Sequence, residues 1–131
     1  LKYYENLLSK FKKLKMICTN PDLIVHRGSK LEYCAGSIAS IFKKLGGEVI
    51  YFGKPYPEIY NFCMQKEENI LVIGDNINTD IKGANNMKFD SLFITSGIHR
   101  KEFLNLPVEK YDKVLEGYNV KANYYQTKLS W

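Results

Sequence analysis

The chain has 131 residues, 45% of them hydrophobic, 14% aromatic and 25% charged, with a formal net charge of +5. That apolar content excludes a disordered chain, and only 9 Gly and 4 Pro exclude collagen-like and low-complexity classes. The length suits one domain of modest core, no run of about 18 apolar residues spans a membrane, and the Lys-rich start does not read as a signal peptide.

In chain order, Glu5 to Lys13 predicts a short amphipathic helix with the stripe Leu7, Leu8, Phe11 and Leu14. Lys10, Lys12 and Lys13 fall opposite that stripe, on a solvated face. Met16 to Cys18 predicts a strand that ends at the turn Thr19-Asn20-Pro21-Asp22. Leu23 to Val25 is a short apolar run broken at Arg27-Gly28-Ser29. From Lys30, the steps of three and four through Leu31, Cys34, Ile38, Ile41, Phe42 and Leu45 predict the strongest helix, stopped at Gly46-Gly47.

Val49 to Phe52 then predicts a strand leading into Gly53-Lys54-Pro55, and Pro57 opens a helix through Cys63. The unbroken apolar run Ile70 to Ile73 predicts a central parallel strand buried on both faces, ending at Gly74-Asp75. Asn78 or Thr79 can cap the next helix, from about Asp80 to Asn86. Ser91 to Thr95 predicts another buried strand, ending at Ser96-Gly97. A short helix near Lys101 to Asn105 and an irregular Tyr-rich tail complete the reading. Strand–helix alternation from Val49 to Ile94 is that of an α/β parallel sheet.

Charge and cysteines narrow the function. Residues Leu1 to Glu48 hold nine Lys and Arg against four Asp and Glu, whereas Val49 to Trp131 hold ten of each, so the excess charge sits in the first part. No nucleic-acid-binding module accompanies it, and a solvated helix face accounts for it. We place a domain boundary where the balance changes, giving 1–48 and 49–131. Cys18, Cys34 and Cys63 are an odd count at wide spacing, which excludes a disulfide framework or a zinc site and fits a reducing, cytoplasmic compartment.

Ligands of open α/β sheets sit at the carboxyl ends of parallel strands. Gly53-Lys54, Gly74-Asp75-Asn76 and Thr95-Ser96-Gly97 lie at such ends, and Asp80 follows Asp75 by five residues. Two carboxylates and a lysine there suit a magnesium–phosphate site. The same residues also have plain structural readings: an Asp after a strand caps or turns, an Asp near a helix start complements the dipole, and a Lys before Pro is solvated.

The segments Gly53-Lys54-Pro55-Tyr56-Pro57-Glu58-Ile59-Tyr60 and Ile73-Gly74-Asp75-Asn76-Ile77-Asn78-Thr79-Asp80-Ile81-Lys82-Gly83-Ala84 resemble the last two signature motifs of the haloacid dehalogenase (HAD) superfamily. More narrowly they are similar to its class IIA, the NagD-like and nitrophenylphosphatase-like enzymes with a large α/β cap. Thr19-Asn20-Pro21-Asp22 resembles a segment near the end of that cap, and Thr95-Ser96-Gly97 the family's next strand end. The resemblance implies a three-layer, Rossmann-type parallel-sheet core half (49–131) preceded by the end of an α/β cap (1–48). It implies a cytoplasmic, Mg2+-dependent phosphatase of a small phosphorylated metabolite, with no nucleic-acid or membrane partner. By that resemblance Lys54 holds the transferring phosphoryl group and Asp75 ligates magnesium. Asp80 supports the metal site, Asn76, Ile77, Asn78 and Thr79 edge the substrate, and Asn20 and Asp22 influence substrate choice from the cap.

One departure matters. The family opens with an Asp-x-Asp strand carrying the nucleophile and the general acid/base, and this sequence contains no such pair. The absent motif, together with a first residue that is Leu1 rather than Met, leads to the expectation of a C-terminal portion, inactive by itself. The alternative is a non-catalytic phosphate- or partner-binding module. Either way an exposed sheet edge would favour a homodimer or association with the missing N-terminal segment. A receiver-like signalling domain fits less well, because Lys54 precedes the carboxylate-bearing strand instead of following it.

Overall fold

Two short β-systems organise the first part of the chain, and a three-stranded parallel sheet organises the second. The computed structural model describes residues 1–64 and 69–130. The chain divides into two compact units, Leu1–Gly53 and Lys54–Trp131. The division therefore falls at Gly53–Lys54 and not at the change of charge after Glu48.

The first unit begins with α1 (Lys2–Leu8), extended by a tight turn over Ser9–Phe11. None of the side chains of α1 is buried. Strand β1 (Lys15–Cys18) pairs parallel with β4 (Glu48–Tyr51), with Met16 opposite Val49 and Cys18 opposite Tyr51. The strand before Gly53 therefore joins this sheet and not the one that carries Asp75, which corrects the sequence-based alternation from Val49 onward.

A second correction concerns residues 24–33. They form an antiparallel hairpin, β2 (Ile24–Arg27) and β3 (Lys30–Tyr33), closed by the two-residue turn Gly28-Ser29. The helix begins only afterwards as α2 (Ala35–Lys44), burying Gly36, Ala39 and Phe42. Leu31 and Cys34 keep helical spacing with Ile38 by coincidence, and the turn chemistry at Gly28 overrides it.

In the second unit, Pro57 opens α3 (Pro57–Cys63) as predicted. Strands β5 (Leu71–Gly74), β6 (Asp90–Ile94) and β7 (Tyr124–Gln126) form a parallel sheet in that order. Between β5 and β6 the chain makes a wide π-type turn over Ile77–Ile81 and continues as α4 (Lys82–Met87). Helices α5 (Arg100–Phe103) and α6 (Tyr111–Glu116) connect β6 to β7.

The tail is thus not irregular, as the sequence suggests, but holds α6 and β7. Tyr111, Leu115 and Val120 join Ile77, Ile81, Phe93 and Phe103 in one core. Phe93, Phe103, Tyr111 and Tyr125 stack edge to face in series, with ring centroids 5.0 to 5.2 Å apart. Asn123 fixes the approach to β7: its Oδ1 accepts the Ser91 N–H at 3.0 Å and its Nδ2 donates to Asp90 at 2.7 Å.

The burial expected for the first apolar strand of this sheet is also corrected. Strand β6 is the central one, with Ser91 and Phe93 inaccessible to solvent. Strand β5 pairs only with β6 among the described residues, and Leu71 and Ile73 are exposed. Among the cysteines, Cys18 is buried, Cys34 half-buried and Cys63 exposed.

Candidate active site

The site assembles around Asp80, whose carboxylate lies almost completely out of solvent. Burying a carboxylate is costly unless donors surround it. Here the donors come from three places. Asp80 Oδ2 accepts the backbone N–H of Asp75 at 3.1 Å and that of Asn76 at 3.0 Å. Its Oδ1 holds the Lys54 ammonium at 2.5 Å. The loop after β5 is therefore folded back onto a residue of the turn that follows it, and the lysine before α3 is drawn to the same carboxylate.

The wide turn makes this geometry possible. Asn76, and not Asn78 or Thr79, caps it: the Asn76 side chain accepts the Asn78 N–H at 3.0 Å. The Asn76 carbonyl also takes the N–H groups of Asp80 at 2.9 Å and Ile81 at 3.3 Å. Such π-type turns recur at functional sites, because the extra residue per turn re-aims one side chain. Here it buries Asp80 toward β5 while Ile77 and Ile81 enter the core.

Asp75 is held differently. Its Oδ2 accepts the backbone N–H of Ile98 at 2.9 Å, from the loop after β6. Two glycines allow these approaches. A Cβ on Gly74 would fall within the Asp80 carboxylate, and one on Gly97 within that of Asp75. In the sequence these glycines look like ordinary strand-end punctuation, yet their lack of a side chain is what admits the two carboxylates. The Ile98 amide left no sequence signal, since any residue supplies one.

Lys54 is poised for a ligand. Its side chain is 46% exposed although its partner Asp80 is only 6% exposed. A half-exposed lysine side chain anchored on a buried carboxylate is oriented yet reachable, which suits it to grip a phosphate oxygen. The structure thus ties Lys54, Asp75 and Asp80 into one cluster. It does not leave all of the neighbouring residues open to a substrate. Ile77 is fully buried in the core and Thr79 is buried, so neither presents a side chain outward, and only Asn78 and the half-buried Asn76 do. Apolar Ile77 is drawn inward by the same turn that buries Asp80.

Asn20 and Asp22 lie in the first unit. Asn20 Oδ1 accepts the Asp22 N–H at 3.2 Å, closing the turn on itself, and the Asp22 carbonyl takes the Gly36 N–H at 3.1 Å. Their observed work is to shape the segment leading from β1 to α2. Tyr60, on α3, belongs to the first motif segment but has no role in the sequence-based reading. Its buried hydroxyl has no hydrogen-bond partner among the described residues. Burial, and then the charge of Asp80, push its pKa up to about 12.

Residues 51–119, more than half of the chain, match the HAD-hydrolase-like family, and the chain belongs to that family. It is 30% identical over 89 residues to a dihydroxyacetone phosphatase of Corynebacterium glutamicum (strain R), covering 64% of this chain and 32% of that one. It is 31% identical over 88 residues to the ribonucleotide monophosphatase NagD of Escherichia coli (strain K12), covering 64% and 34%. A haloacid dehalogenase-like hydrolase structure from Brucella suis 1330 superimposes with a TM-score of 0.78 at 30% identity, over 98% of this chain and 50% of that one. The chain spans about a third of the length of the curated relatives it matches. The α/β parallel-sheet fold is that of the HAD-like structures.

Proposed function

We propose that this chain supplies the phosphate-gripping and metal-binding half of a Mg2+-dependent phosphatase acting on a small phosphate monoester. The observation that carries this reading is the Asp80 hub, which holds the Lys54 ammonium and the loop of Asp75 together at one sheet end. Lys54 binds the transferring phosphoryl group and offsets its charge as the reaction proceeds. Asp80 keeps that ammonium and the loop amides in register, and so acts by positioning. Asn76 and Asn78 stand at the rim where substrate contacts form, while Asn20 and Asp22 contribute to substrate choice through their own segment.

The donor chemistry fits magnesium in part. Asp75 is one carboxylate with Oδ1 left for a cation, and no group of three His, Cys, Asp or Glu gathers among the described residues. Magnesium is commonly held by one or two carboxylates together with substrate phosphate oxygens and water, so Asp75 suits it as a single protein ligand. The ion, when bound, neutralises charge on the phosphate oxygens.

Covalent phosphoryl transfer also needs a nucleophile in line with phosphorus, and no Asp-x-Asp pair exists in these 131 residues. On this reading a segment bearing that pair is supplied by polypeptide outside them and adds as a strand to the open side of β5, where Leu71 and Ile73 are exposed. Free thiols, including the exposed Cys63, fit a cytoplasmic setting. No helix of the described residues is long and apolar enough to cross a membrane.

The test is Mg2+-dependent hydrolysis of an aryl phosphate by the 131-residue chain, alone and with an Asp-x-Asp-bearing N-terminal segment of a HAD relative. No turnover is expected alone, and turnover is expected on addition. Asp75→Ala should then abolish it, on the order of a thousandfold or more, and Lys54→Ala should mainly raise KM and lower kcat. Robust activity of the chain alone would sink the missing-nucleophile argument. An active reconstituted enzyme indifferent to Asp75→Ala would sink the assignment of the site.

A further inference from the structure

A second concavity opens at the carboxyl ends of β6 and β7, with a volume of about 790 Å3. That size lies within the range of small-molecule sites, roughly 300 to 1,000 Å3. Neither Lys54 nor Asp75 nor Asp80 lines it. Its wall carries Arg100 and Lys101 from α5 and Lys128 from the segment after β7. Its apolar side is formed by the exposed Leu104 and by Leu106, backed by Phe103 and Tyr111, whose rings are almost wholly buried in the core, and the buried Thr95 follows β6. The two strand ends are joined by the Ser96 N–H donating to the Thr127 carbonyl at 3.1 Å.

The charge balance around this cavity is one-sided. None of its lining residues is acidic. The acids closest in sequence are already engaged: Glu102 takes His99 Nδ1 on one oxygen and the Tyr118 hydroxyl on the other, both at 2.7 Å. Asp112 accepts the Tyr125 hydroxyl at 2.5 Å. Among the described residues, Arg100, Lys101 and Lys128 take part in no ion pair, whereas Lys15 and Arg27 pair with Glu48 and Glu32. Three like charges around one hollow repel each other until an anion enters, and solvated lysines scattered on a convex face would lack the apolar wall beside them.

We propose that this cavity binds a small molecule carrying a phosphate-like dianion on an apolar body. The dianion lies among Arg100, Lys101 and Lys128, and the apolar body lies against Leu104 and Leu106, over the buried rings of Phe103 and Tyr111. The site does not depend on the phosphatase reading. It shares only the loop of residues 95–98, which lines the cavity at Thr95 and Ser96 and holds Asp75 through the Ile98 amide.

The test uses phenylphosphonate, which combines the dianion with a ring, and amide-resolved NMR of the 131-residue chain bearing Lys54→Gln. That substitution removes the ammonium of the first site, so the two sites fail separately. Saturable shifts are expected at Ser96, Arg100, Lys101 and Lys128. Adding Arg100→Gln and Lys128→Gln, both exposed positions, should weaken binding about tenfold or more while the rest of the spectrum is preserved. Benzyl alcohol, with the ring but no charge, should bind far more weakly. The proposal is overturned by an absence of saturable shifts, by shifts confined to residues 75–80, by unchanged affinity in the double substitution, or by equal binding of the alcohol.

Discussion

Residues 54–131 enclose a contiguous core in which Ile77, Ile81, Phe93 and Leu115 are inaccessible to solvent, whereas residues 1–53 bury Cys18, Ala39 and Phe42 and leave Leu14, Ile17, Leu31 and Tyr33 exposed. Both units have parallel strand pairing and helices, so secondary structure does not separate them. The third strand does. Strand β7 pairs along the second edge of β6 and residues of the α6 segment pack into the core with Phe93, while β1 and β4 form a pair with no further neighbour among the described residues. A two-stranded unit closes little apolar area and is marginal by itself, and three strands with a covered face are not. The polar networks follow the same division. The Asp80 cluster is buried, and the Lys15–Glu48 pair at 2.9 Å is largely solvated at both ends.

Substitution should break this comparison if it is wrong. Phe93→Ala removes a fully buried ring and should cost about 3–5 kcal/mol in urea unfolding. Ile17→Ala, at a residue 64% exposed, should cost less than about 0.5 kcal/mol. Similar losses at the two positions would mean that the first unit has a core of its own. Asp80→Ala comes next, at about 2–3 kcal/mol, because it leaves two partly buried backbone N–H groups without their acceptor and removes the Lys54 pair. Hydrogen exchange should speed up at the amides of Asp75 and Asn76. Glu48→Ala, removing a solvated pair, should fall between 0 and about 1 kcal/mol.

What the sequence disclosed, and what it hid, follows the same physical lines. Lys54 and Asp75 stand out in the sequence because each follows an apolar run closed by a single glycine, and the structure gathers the Lys54 ammonium and the Asp75 loop onto Asp80. The strand ends they follow were legible too, to within a residue or two. Asp80 as a hub was not, since its role depends on a wide turn that no residue type announces. Strand β7 was hidden because it is three residues long, Tyr124–Gln126, and its pairing with Leu92–Ile94 is non-local. The β2–β3 hairpin was hidden by a periodicity that ran on through Leu31 and Cys34 into the true helix. Ile77 looked like an active-site residue by its place in a motif, and its apolar side chain sends it into the core instead.

Tyr60 supplies the smallest of these effects and the sharpest probe of the second unit's interior. Its hydroxyl lies against Gly83, where an added Cβ would meet it, and it has no hydrogen-bond partner among the described residues. Burial, reinforced by the Asp80 charge, raises its pKa from 10.0 to about 12. The folded state therefore keeps the phenolic proton where the unfolded state has lost it. The associated stability is fully present below pH 10, declines as pH rises from 10 toward 12, and is lost beyond. Urea midpoints across that window should fall more steeply for the native chain than for Tyr60→Phe. Near pH 7 the same substitution removes a hydroxyl that donates to nothing, so it should be neutral or slightly stabilising. Tyr125→Phe makes the contrast, because it gives up the bond to Asp112 and should be destabilising at pH 7. A loss at Tyr60→Phe as large as that at Tyr125→Phe would mean that the Tyr60 hydroxyl is paired after all. Parallel pH profiles for Tyr60→Phe and the native chain would remove Asp80 and burial as the forces acting on it.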